Sequence, residues 1–117
     1  MSVRPDAAAS AMTLAGDDLT RTDALSAEGW SAFQRGDVET ALGPLTRAAA
    51  QPNVRPWILY VLGLSHAALD QPKEAITAWE RVRAAAPTFA PVYMDLAATY
   101  GHLADLTHAH EPTEARR

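Results

Sequence analysis

Two stretches of the chain repeat each other at a spacing of 34 residues, with no gap. The first carries Leu25, Glu28-Gly29, Gly36-Asp37-Val38, Ala41, Leu45, Ala48 and Asn53. The second carries Leu59, Leu62-Gly63, Asp70-Gln71-Pro72, Ala75, Trp79, Val82 and Pro87. The same step leads on to Tyr93, Leu96-Ala97, Tyr100, Ala104-Asp105-Leu106 and Ala109. A fixed period of about 20–50 residues marks an array of small units, each burying its apolar face only against its neighbours. No Val/Ile/Thr run with strict alternation supports strands. Apolar residues make up 48% of the chain, and the commonest, alanine, is the strongest helix former. The expected class is all-α.

Local signals place the helices. Asp23 to Arg35 reads as one helix, stopped by Gly36 in a left-handed C-cap. Asp37 caps the next, which runs to about Ala50 and stops before Pro52. Pro56 opens a third that reaches Leu69, and Asp70-Gln71-Pro72 repeats the stop-and-start before a fourth running to about Ala86 and closed by Pro87. A fifth spans about Ala90 to Ala104, with Asp105 as cap of a sixth. That sixth helix begins at Leu106 and meets Pro112, where a proline inside a helix costs about 3 kcal/mol. Residues 1–21 stand apart. Pro5 and the following alanines suit one short helix ended by Gly16-Asp17-Asp18, either a decayed second helix of an earlier repeat or a frayed or disordered tail.

Charge and composition exclude several functions. The formal net charge is −4, with no block of either sign, which disfavours nucleic acid, since binding it needs a basic face. Without cysteine there is no thiol chemistry. The longest apolar run, Trp57 to Leu64, is too short for a membrane span, and the N-terminus lacks a charged start followed by an apolar run of signal-peptide length. A cytoplasmic location is the default expectation, although a trimmed export signal would leave no trace. His108 and His110 are two apart, not the four that places two ligands on one helix face, so no metal and no cofactor are expected. No Ser/His/Asp constellation, phosphate loop or converging carboxylate pair supports an enzyme.

Over residues 22–110 the pattern resembles the tetratricopeptide repeat family. That signature pairs a Leu-Gly on the first helix with an Ala and an aromatic on the second and a proline at the repeat end. Leu62-Gly63, Ala75, Trp79 and Pro87 carry it here. Glu28 and Ala32 depart from it in the first repeat. The resemblance implies a helical-repeat solenoid of about two and a half repeats, over 22–55, 56–89 and a partial 90–111, between the segment 1–21 and a polar tail 112–117. Within it Trp79 is expected in the core, and His66 is expected to face the interior with a hydrogen-bonded ring.

The resemblance also implies that the first helix of each pair lines a concave groove. Trp57, Tyr60, Leu64 and Ala68 form a second apolar stripe on the third helix, beside the one that the repeat needs. Projected onto the family's superhelix, Trp30, Phe33, Trp57, Tyr60, Leu64 and Met94 line the groove, with Gln34 and His102 at its polar margin. Exposed aromatics mark interaction surfaces, whereas the same residues packed on one another or on the N-terminal segment would be ordinary core. The places where some family members hold a partner's carboxylate carry Ser26, Trp30, Tyr60 and Leu64, which suits an apolar or amphipathic protein or peptide segment instead. The expected function is protein–protein interaction. The alternative is a self-associating, homodimeric repeat domain.

Overall fold

A computed structural model describes residues 4–110, with side chains up to residue 107. It contains α1 (Ala7–Ala15), a 3-10 turn (Gly16–Thr20), α2 (Ala24–Gln34), α3 (Val38–Ala49), α4 (Pro56–Ala68), α5 (Pro72–Ala85) and α6 (Ala90–His110). The described residues are all-helical, without strands. The side chains of His108 and His110, Pro112 and the expected polar tail lie outside the described residues.

The punctuation of α2 to α5 follows from single side chains. The Asp23 carboxylate accepts the Ser26 N–H at 2.9 Å and its hydroxyl at 3.2 Å, which satisfies a free N–H at the start of α2. Asp37 does the same for α3, accepting from the Thr40 N–H at 3.4 Å. Pro56 and Pro72 stand in the first turns of α4 and α5, where a missing N–H costs nothing. Between these helices the backbone turns through the left-handed region at Gly36 (φ 79°) and at Asp70 (φ 57°), positions related by the 34-residue step.

The next position in that register is Ala104, and there the chain does not turn. Alanine in the left-handed region costs about 1–2 kcal/mol, and glycine or aspartate is what the two earlier corners use. The helix therefore continues, and α6 is one element of 21 residues. This corrects the expected stop at Ala104 and the separate sixth helix capped by Asp105. Pro44 lies inside α3 and is buried, and the helix continues past it to Ala49, so packing outweighs the lost backbone bond.

Each helix from α2 to α6 packs on its neighbours in sequence, and α2 also touches α4. The tightest approaches repeat with the register. A Cβ on Gly29 would lie 2.6 Å from Leu45 Cγ, and one on Gly63 would overlap the Trp79 indole. Arg81 on α5 donates to the Ala49 carbonyl at the end of α3 at 3.2 Å, covering one of the acceptors left free at a helix C-terminus. The body measures 57 × 29 × 28 Å, with a radius of gyration of 15.1 Å. A compact domain of this length would have about 13 Å, so the stack is elongated.

The central element is α4, with ten of its thirteen residues buried. Such a helix needs covering on all sides. Helices α3 and α5 supply two, and the third cover is α1, which packs on α4 rather than on α2. Residues 7–15 are thus an ordered helix. A decayed second helix would instead sit against α2, as α3 sits against α4.

Candidate functional site: the covered face of α4

The seat of α1 is built from small residues and one polar anchor. Ala7, Ala11 and Ala15 are 2, 0 and 5% exposed. They recur every fourth residue, so they share one face of the helix, and their size lets its backbone lie close to α4. The turn that follows α1 is tied down by Arg55, whose Nε donates to Asp18 at 2.7 Å.

The anchor lies ahead of the helix. Arg4 Nε donates to Asp95 Oδ1 at 2.7 Å and Nη2 to Oδ2 at 3.3 Å, so the guanidinium grips both carboxylate oxygens. The same Nη2 donates to the Tyr60 hydroxyl at 2.8 Å, and that hydroxyl donates to Asp95 Oδ2. Three elements meet here: the segment before α1, α4 through Tyr60, and α6 through Asp95. Asp95 is 6% exposed and Tyr60 fully buried. A buried carboxylate is strongly unfavourable without a partner, and the fork of Arg4 is the geometry that satisfies one best. The hydrogen bond to Asp95 holds the guanidinium even more firmly protonated than usual. Burial, and then the hydrogen bond to Asp95, pushes the Tyr60 phenol above its ordinary range.

The eight residues expected to line an open groove fall into three groups. Trp57, Tyr60 and Leu64 are buried by the chain itself, because α1 and the neighbouring helices cover the faces of α4 that were expected to be open. Trp30 and Phe33 are half-buried against the same core. Trp30 stacks on Phe33 at 5.9 Å and meets Trp57 edge to face at 5.8 Å. Gln34 is exposed and Met94 is 60% exposed, and His102 sits apart, its Nε2 3.1 Å from Asp70 Oδ1 at the α4–α5 corner. That contact lowers the Asp70 pKa. The structure thus joins Trp30, Phe33 and Trp57 in one aromatic group. Tyr60 belongs to another, with Phe89 at 5.0 Å and Trp79 at 6.2 Å.

Trp79 is buried, and its Nε1 donates to the Tyr60 carbonyl at 3.2 Å. His66 is half-buried, with Nδ1 2.7 Å from Gln71 Oε1. Sequence reasoning missed Arg4 and Asp95. One signal was present: Val92, Asp95, Leu96 and Thr99 follow helical core spacing, so an aspartate stands where an apolar residue is due. Its partner lies 91 residues away, and no local pattern marks that.

A recess of about 300 Å³ opens at the start of α4, lined among others by Asp18, Arg21, Asp23, Arg55 and Trp57. Three of its charged groups are engaged, Arg55 with Asp18 and Asp23 in capping α2. Among the described residues no group of three or more His, Asp or Glu side chains is placed to hold a metal ion. Nor is any helix there long and apolar enough to cross a membrane. Comparison of the chain with family models, curated proteins and solved structures found no match.

Proposed function

We propose that this chain is a tetratricopeptide-like protein-interaction module that holds a helical segment of a partner against α4. The observation that carries the reading is the seat of α1. A short helix, joined to the rest through the 3-10 turn and Arg21–Asp23, lies on the apolar face of α4 with its arginine seated on Asp95. Helix-on-face recognition uses such a surface, with apolar groups spaced by one helical turn. The equivalent contacts Gly29–Leu45 and Gly63–Trp79, and the left-handed corners at Gly36 and Asp70, support the repeat reading.

The reading requires α1 to leave without unfolding the remainder. Amide hydrogen exchange on the full chain tests this. The α1 amides should open with a free energy well below that of α4, in a local event. If α1 exchanges only together with α4, the face is never available and the module reading fails.

A second reading, self-association, is favoured by the uncovered side of α6. Tyr93, Met94 and Tyr100 there are 42, 60 and 47% exposed. Light scattering over a hundredfold range of concentration distinguishes the two: a monomer throughout leaves the module reading alone, and a stable dimer puts self-association ahead.

A further inference from the structure

Resting on the module reading, we propose that α1 is a resident placeholder, and that Asp95 and Tyr60 select a partner helix by its arginine. The partner segment would carry an arginine followed by small residues three, seven and eleven positions on, as Arg4 is followed by Ala7, Ala11 and Ala15.

What α1 leaves behind decides which occupants the seat accepts. When it lifts, Asp95 loses the cation that holds both of its oxygens, and the Tyr60 hydroxyl loses its donor. The face then presents a carboxylate in a seat that is 6% exposed when covered, beside the apolar surface of α4. An apolar helix without a cation would strand that charge on docking. Lysine offers a compact ammonium, whereas the guanidinium fork reaches both carboxylate oxygens and the phenol at once. The polar seat therefore discriminates among occupants, and the discrimination favours arginine.

The resident helix is a weak occupant. It has nine residues and no side-chain cap, and isolated helices below about 12–15 residues are marginal in water. Its covering face is three alanines and the half-buried Leu14, while Met12 points outward at 46% exposure. A longer helix with the same arginine and stripe buries more surface and displaces it. A second copy of this chain offers only the same α1, already seated in its own chain at high effective concentration, so exchange between copies gains nothing. The favoured occupant is a helix of another protein.

The test uses the full chain with Ala11→Glu, which places a charge in the seat and undocks the resident helix. A fluorescent peptide with the sequence of residues 3–17 is titrated against it by anisotropy, beside peptides carrying Arg4→Ala and Arg4→Lys. The parent peptide should bind at least about tenfold more tightly than either. The difference should collapse when Asp95→Asn is added to the chain. Equal binding by all three peptides would overturn arginine selection and leave the module reading standing. No binding by any peptide to a chain that keeps its helical circular dichroism would overturn both. A dimer formed on mixing the Ala11→Glu chain with the unaltered one would make a second copy the occupant and overturn the foreign partner. Should Ala11→Glu not fold, Arg4→Ala in the full chain weakens the anchor without adding charge, and the same peptides are compared on it.

Discussion

Gly63 has no room for a side chain, because a Cβ there would overlap the Trp79 indole, whereas Gly101, inside α6, has nothing within 4 Å beyond its chain neighbours. Opposite outcomes follow from one substitution. Gly63→Ala should destabilise by about 1–3 kcal/mol through overpacking. Gly101→Ala should stabilise by about 0.5–1 kcal/mol through helix propensity. Urea unfolding of the two variants measures both. Trp57 is core, so Trp57→Ala should cost about 3–5 kcal/mol, read by the same method; a near-neutral result would put the ring on the surface. Tyr60 supplies a pH dependence. Its phenol is raised above the ordinary value of 10.0, so the folded state favours the protonated form. The associated stability is fully present below about pH 10 and is lost as the pH rises beyond it. Thermal melts between pH 9 and about 11.5 should show this decline, and Tyr60→Phe should lessen it while lowering stability near neutrality.

At the scale of the element, α2 to α5 were legible because their boundaries rest on local chemistry. Asp23, Gly36, Asp37, Pro56 and Pro72 each act within a few residues of where they stand. The end of α6 was misread because the register was followed onto Ala104, where the residue needed to turn the backbone is missing. The seat of α1 was illegible for a different reason: alanines at fourth-residue spacing suit any helix, and what fixes α1 is a contact 91 residues away. The candidate site was therefore half readable. Its aromatic residues could be found by periodicity, but their burial depended on a helix whose position no local signal gives. On this basis α1 is a separable element. Arg4→Ala should speed amide exchange in α1 more than in α3 and α5. Equal acceleration throughout would mean that α1 is integral to the core.

Across the whole molecule, the Arg4–Asp95 contact closes an elongated stack, joining a segment ahead of the first helix to the last one over the flank of α4. Everything proposed for the face of α4 depends on that closure. Removing either partner strands the other or withdraws hydrogen bonds to a charged group, each worth about 1.5–3 kcal/mol. The two residues should therefore behave as one unit. The most direct measurement is a double-mutant cycle in urea with Arg4→Ala, Asp95→Asn and the pair together. A coupling of about 1.5–3 kcal/mol is predicted. Effects that add to within about 0.5 kcal/mol would mean that the two residues are independent, and would contradict the seating of α1 on which the account rests.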